Sequence, residues 1–283
     1  MRILTASGMM CALLIAGCAR SYVYVRADIP QSIPEAKTAL EELARNPIPF
    51  AYKLVLIHGW RDSSARWGNM VYWLNRCFNN ADKMVTVVNY AGDLPIAELT
   101  KVIFDQYKIS GTVDVVGHSM GGLIARQANR MGYAKIHMLF SMASPHEGSY
   151  LARYGVGFRE LDDMTPGSQF LKELNADLKS RDFEVITYWM DGDWLLTNES
   201  SESLGGTNII LSPSPGKPPF RYTHNQLVMD ERTIYHVIRL LRSEAVEKTL
   251  EDTARQSAQQ PEAQPAVCPP AVPLDLPKPT PAR

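Results

Sequence analysis

The stretch that decides the fold is "TVDVVGHSMGGLIARQ", Thr112 to Gln127. A valine-rich run stops at Gly117, Ser119 stands two positions later, and a helix-type pattern follows. A small polar residue between glycines at the end of an apolar strand has two readings. It is an ordinary glycine-rich turn, or Ser119 is a nucleophile presented on a sharp one. A tight strand-to-helix turn crowds the chain, so the positions two before and two after the serine must be glycine, and Gly117 and Gly121 are there. A bare G-x-S-x-G arises by chance. The strand before it and the helix after it supply the context that the nucleophile reading requires.

Outward from this turn, strand and helix patterns alternate between about Ala36 and Lys248. Strand candidates are "KLVLIHG" (53–59), "MVTVVNY" (84–90), "TVDVVGH" (112–118), "IHMLFSM" (136–142), "EVITYWM" (184–190) and "TNIILS" (207–212). Most are continuous apolar runs, the pattern of parallel strands buried on both faces. Between them Trp67, Val71, Leu74 and Phe78 form one helical stripe after Ser63 and Ser64. Ile96, Leu99 and Ile103 form another, with Pro95 at a first helical position, and Asp230 caps a last helix carrying Ile234, Val237, Ile238 and Leu241. The expected fold is therefore α/β, with a mostly parallel central sheet and helices on both faces. Ligands of such sheets sit at the carboxyl ends of the strands. Residues 149–179 are long for a connection and hold their own helix, with Pro166 near its start and Phe170, Leu171, Leu174 and Leu178 on one face. They read as a small cap or lid, or as a packed surface insertion.

A serine hydroxyl needs a base. Of six histidines, His224 in "RYTHNQLVMD" lies in a loop after the last strand and before the last helix, from where it reaches across the top of the sheet. His118 flanks the serine and is expected to point away, and His58 is expected to hold its own loop by hydrogen bonds. The acid that orients His224 should end a strand between the two, and "EVITYWMDGDWLLTNES" offers Asp193, favoured because Gly192 turns the chain before it, and Asp191 as the alternative. Acyl transfer develops negative charge on a carbonyl oxygen, so two backbone N–H donors are needed. The residue after the serine, Met120, gives one, and Trp60 of "LVLIHGW", behind the unhindered Gly59, gives the other. The order Ser119, Asp193, His224 is that of α/β-hydrolases. No cofactor is needed. A metal site of His58, His118 and His146 is the rival, and no carboxylate–histidine pair at H-E-x-x-H spacing supports it.

The ends read differently. "MRILTASGMMCALLIAGC" has one basic residue, then an apolar run too short for a comfortable membrane span. Its last four residues resemble a bacterial lipobox. That resemblance implies that residues 1–17 are removed and that Cys18 carries a palmitate-type lipid anchor. Ala19 then implies the outer membrane of a bacterial cell envelope, facing the periplasm. Residues 18–35 read as a linker and 36–248 as the folded domain. Residues 249–283 read as a disordered Pro- and Gln-rich tail, since proline removes backbone donors. Cys77 reads as a buried apolar residue, and no disulfide framework or CxxC pattern is visible. With 29 Lys+Arg against 30 Asp+Glu and no basic run, nucleic acid is excluded as a partner.

Taken together, "LIHGW", "VDVVGHSMGG", "ASPHEGS", "MTPGSQFLKELN", "DGDWLLTNES" and "THNQL" resemble the lipase-like α/β-hydrolases, close to the PGAP1-like and bacterial triacylglycerol lipase groups. The resemblance implies the α/β-hydrolase fold, a serine carboxylic-ester hydrolase with an ester or lipid substrate, and Ser119, Asp193 and His224 as its triad. Members often carry Val-Pro shortly after the acid where this chain has Leu196-Thr197, so the choice between Asp193 and Asp191 stays open. An acyltransferase using the same residues, and a non-catalytic envelope lipoprotein, are the alternative functions.

Overall fold

The computed structural model describes residues 22–24, 29–155, 157–176, 182–193, 195–196, 206–213 and 223–259, with side chains described from 29 to 252. Cys18, the residues before it that read as a leader, and the chain beyond Gln259 lie outside the described residues. By its contacts the chain divides into two units, Met1–Ala245 and Val246–Arg283.

Seven strands form one sheet: β1 (Tyr22–Tyr24), β2 (Lys53–Ile57), β3 (Val85–Val88), β4 (Thr112–His118), β5 (Lys135–Met142), β6 (Glu184–Met190) and β7 (Thr207–Leu211). Their spatial order is β1-β7-β6-β5-β4-β2-β3, and every pairing is parallel. Side chains alternate across a strand, so each apolar run feeds two cores. Leu54, Leu56, Val116, Phe140 and Tyr188 enter one core, under α1 (Ile33–Ala44), α2 (Gly68–Cys77) and residues 234–241 of the C-terminal helix, which runs over Glu231–Gln259. Val55, Ile57, Val113, Val115 and Leu139 enter the other, under α4 (Ile96–Gln106) and α5 (Met120–Arg130). A four-residue α3 (Ala81–Met84) leads into β3. This double burial is why continuous hydrophobic runs, rather than alternating ones, mark these strands.

Four local differences from the sequence reading stand out. Tyr22–Tyr24, read as linker, pairs with Asn208, Ile209 and Ile210 at the sheet edge, as an aromatic and β-branched triplet can. Ahead of residue 36, Ser32 and Glu35 form a capping box that starts α1 at Ile33. At the other end the last helix continues to Gln259, beyond Lys248, because no proline interrupts it before Pro261. Pro95 sits one position before α4 rather than in it.

Position 114 is polar inside a central strand. The β4–β5 register shifts between Val113 and Val115, and the buried Asp114 carboxylate accepts the Met138 N–H at 3.2 Å and pairs with the His137 ring at 3.1 Å. The side chain thus fills a gap in the ladder. Cys77 is a buried free thiol whose pKa burial pushes up to about 11. No described helix is long and apolar enough to cross a membrane.

The sheet changes direction between β2 and β4. The chain moves outward from β2 to β3, returns to the far side of β2 with β4, and then moves outward through β5, β6 and β7. The carboxyl ends of β2 and β4 therefore face a crevice at a topological switch point. Those ends are His58-Gly59-Trp60 and Gly117-His118-Ser119.

Candidate active site

Ser119 stands between β4 and α5 with φ 52° and ψ −121°, a region that non-glycine residues rarely enter. The strain is held by neighbours. The Ser119 N–H donates to the Met142 carbonyl at 2.8 Å, and its own carbonyl accepts the Gly122 N–H at 3.1 Å. The glycines are steric necessities. A Cβ on Gly117 would lie 2.6 Å from the Gly122 nitrogen, and one on Gly121 would lie 2.9 Å from the His58 carbonyl oxygen and closer still to that of Ile57. On Gly59 it would come within 2.9 Å of the Ser119 Cβ, so the loop after β2 lies directly against the serine.

His224 begins its loop on a short helical turn, Thr223–Gln226, and is buried. Its Nδ1–H donates to Asp193 Oδ2 at 2.8 Å, and Asp193 Oδ1 accepts the Leu195 N–H at 3.0 Å. Both oxygens of Asp193 are thus engaged. Gly192, at φ 80°, turns the chain so that Asp193 faces inward, while Asp191 is exposed at the strand end. Thr223 Oγ1 reaches the Gly192 carbonyl at 3.3 Å and ties the two loops together. Of the two carboxylates offered by the sequence, the fold brings Asp193 to His224. No hydrogen bond joins His224 to Ser119 in this state. The two line one cavity of about 420 Å³, with Leu151, Leu161, Met164 and Leu196 among its apolar walls.

The other histidines have other partners. His58 Nδ1–H donates to the Gly59 carbonyl at 2.8 Å, its Nε2 accepts the Tyr90 N–H at 3.3 Å, and its carbonyl accepts the Tyr90 hydroxyl at 2.6 Å. Burial lowers its pKa, so it is a neutral brace for the loop that carries Trp60. His118, expected to point away from the serine, packs against His224. It lies beneath His224, ring centroids 4.9 Å apart, donates from Nε2 to the His224 carbonyl at 3.1 Å, and lines the cavity. Burial first, then the neighbouring His224, hold its pKa well below the ordinary value. His146 accepts Arg126 at 3.0 Å on Nδ1 and meets the Ser141 hydroxyl at 2.8 Å on Nε2. His58, His118 and His146 therefore face three different partners and are not assembled as one ligand set.

Two residues that the sequence reading passed over shape the site. Buried Arg126 of α5 also donates to the Leu174 carbonyl at 3.0 Å and to Asn175 Oδ1 at 2.9 Å, tying the helix after Ser119 to α7 (Gln169–Ala176). Buried Glu160 of α6 (Arg159–Met164) bonds the Trp60 indole. In the sequence both look like ordinary charges on amphipathic helices, and no spacing signal separates them from solvated ones.

Residues 77–173 match the PGAP1-like alpha/beta domain family, a stretch that contains β3, β4, β5 and Ser119. No curated protein sequence matches the chain. Among solved structures, phospholipase PlaB from Legionella pneumophila in complex with thio-NAD is similar at a TM-score of 0.51 and 14% identity, over 77% of this chain and 66% of that one. The chain thus spans about two thirds of that phospholipase. The mature lipase BlEst2 of Bacillus licheniformis is similar at a TM-score of 0.50 and 14% identity, over 69% of this chain and 94% of that one. At such identities the likeness is one of fold: the chain has the α/β-hydrolase fold.

Proposed function

We propose that this α/β-hydrolase is a serine carboxylic-ester hydrolase acting on lipid-like esters. The observation that carries the proposal is the strained Ser119 at the end of β4, opening on the same apolar cavity as a His224 already paired to Asp193 at 2.8 Å. His224 Nε2 takes the Ser119 Oγ proton as the oxygen bonds to the ester carbonyl carbon. The carbonyl oxygen becomes an oxyanion held by the backbone N–H groups of Met120 and Trp60. The ester C–O bond then breaks, and the leaving alkoxide takes the proton from His224. Water, deprotonated by His224, repeats the sequence on the acyl-enzyme and releases the acid and free Ser119. Asp193 keeps the His224 tautomer and offsets its positive charge in both halves.

Apolar walls favour an acyl chain over a polar group, and the folds of a phospholipase and a lipase support the same class. The test is an ester chain-length series on protein lacking residues 1–18, with S119A as control and fluorophosphonate labelling in parallel. Labelling of Ser119 and activity rising with chain length are expected. Full activity in S119A would refute the assignment. Activity flat across chain lengths would refute the lipid preference, and a product ester formed from an added acceptor alcohol would redirect the reading to acyl transfer.

The lipid anchor on Cys18 and the outer-membrane location are proposed from the sequence motif alone. Metabolic labelling with palmitate tests the anchor: wild type is expected to take up label and C18S to lose it, and label retained by C18S would refute the assignment; separation of inner and outer membranes tests the location.

A further inference from the structure

The Trp60 N–H is useful only if it points at the reacting oxygen, and a loop after a strand does not hold that aim by itself. Upstream, His58 and Tyr90 fix the chain as far as Gly59. Downstream, Arg61 adopts φ 51°, so the backbone turns sharply at once. Between them, the Trp60 indole Nε1–H donates to Glu160 Oε1 at 2.7 Å, across 100 residues of sequence. The same oxygen accepts the Asp93 N–H at 3.0 Å, where Asp93 itself has φ 84°. Glu160 is 1% exposed, and Gly92 leaves room for it, since a Cβ there would stand 2.6 Å from Oε1. Phe158, two residues earlier, meets the Trp60 ring edge-on at 5.6 Å, and the Arg61 guanidinium lies 4.9 Å from the Phe158 ring. A buried carboxylate is costly unless its hydrogen bonds hold a specific arrangement. Here one of those bonds goes to the residue that carries one candidate oxyanion donor, and the other pins the Asp93 backbone beside it.

We propose that Glu160 is a positioning residue: through the Trp60 indole it aims the Trp60 backbone N–H into the oxyanion hole and couples α6 to the chemistry at Ser119. The proposal rests on the ester-hydrolase reading above. It adds a function for a residue of α6, which is otherwise only a covering helix.

An oxyanion donor acts on the transition state, so misaiming it lowers kcat and leaves KM nearly unchanged. Removing one such donor outright lowers kcat about 10²–10³-fold, so misaiming should cost E160A roughly tenfold or more. E160Q keeps an oxygen that accepts both N–H groups and is expected to restore most of the loss. W60F deletes the indole donor but keeps the backbone N–H and the buried carboxylate. It is expected to resemble E160A, and the double variant should be no worse than either, because both cut one link. The indole N–H of Trp60 should be protected from hydrogen exchange in wild type and S119A alike, and lose that protection in E160A.

An E160A kcat within about twofold of wild type, a loss confined to KM, or additive losses in the double variant would overturn the proposal. So would an unprotected Trp60 indole in wild type. Wild-type protein that neither turns over esters nor labels at Ser119 would instead defeat the ester-hydrolase reading. The exchange measurement would still report on the latch itself.

Discussion

Gly121→Ala adds one methyl group to the first turn of α5, and the structure sets what it costs. The new Cβ would stand 2.9 Å from the His58 carbonyl oxygen and nearer still to that of Ile57, well inside the ordinary contact distance of about 3.5 Å. Neither oxygen can retreat freely. Ile57 is paired on one side with Val88 and on the other with Gly117, in the interior of the sheet. Relief must come from α5 or from the turn at Ser119. Overpacking against rigid backbone costs up to about 3 kcal/mol. At roughly 2–4 °C per kcal/mol for a domain of this size, the melting temperature should fall by about 6–12 °C. A shift of the Ser119 turn by ~1 Å would also lower turnover about 10²-fold in the folded protein. Gly68→Ala is the matched control. Gly68 opens α2, has nothing within 4 Å of an added Cβ, and has a helical φ of −51°. There the same methyl group should stabilise by about 0.4–1 kcal/mol, by restricting the unfolded chain. Calorimetric melts and ester turnover of both variants are the assay. A Gly121→Ala protein that melts within ~2 °C of wild type and keeps its turnover would refute the close-approach argument.

Two further outcomes follow from the site. Burial holds His118 and His146 well below the ordinary histidine value of 6.5, so the folded state keeps them neutral while the unfolded chain protonates them. Their stabilising contribution is complete above pH ~6.5 and is lost as the pH falls below it, by up to about 1.4 kcal/mol per unit for each group; melts between pH 7.5 and 5.5 should show this slope, and a flat profile would refute it. D193N should lower kcat by about 10⁴-fold while D191N leaves it near wild type, since only Asp193 holds His224, and the reverse result in a steady-state assay would move the acid to Asp191.

The parts of the fold that were legible in the sequence are those with local, obligatory signatures. A strand buried on both faces must be apolar throughout, so β2 to β7 stood out as runs. A serine crowded on both sides requires glycine at two fixed offsets, and Gly117 and Gly121 are excluded from carrying side chains by backbone contacts alone. Loop order singled out His224 as the candidate base, and the fold brings its ring to Asp193 and to the cavity that Ser119 lines. Glu160 and Arg126 were illegible for the opposite reason. Their burial depends on segments 67–100 and 20–49 residues away, and a charged side chain on an amphipathic helix looks the same whether the opposing surface is water or protein. The packing of His118 against His224 was not legible either, because the turn geometry constrains the backbone and not the rotamer of the ring.

The described residues of the 149–179 segment both pack on the domain and wall the cavity. Leu161, Met164, Leu171 and Leu174 pack into the core formed by β2, β4 and α5, while Leu151, Leu161 and Met164 also wall the cavity. Polar ties add to this. Arg126 holds α7, Glu160 holds the Trp60 loop, Asp163 accepts the Ile96 N–H at 2.7 Å, and Ser149 Oγ donates to the Leu195 carbonyl at 2.7 Å. Swinging α6 and α7 away as one body would break these ties and expose Leu161, Met164, Leu171 and Leu174, at about 1.5–3 kcal/mol for each side chain. That sum approaches the whole stability of an ordinary domain, about 5–15 kcal/mol. Whole-segment opening would thus come close to unfolding. Among the described residues, no side chain of Tyr150–Tyr154 makes a hydrogen bond of this kind: Tyr150 and Tyr154 are 59% and 82% exposed, and Tyr154 stands at the cavity. Under the proposed function, substrate entry falls to the Tyr150–Tyr154 turn, while α6 and α7 stay docked and keep Trp60 aimed at Ser119.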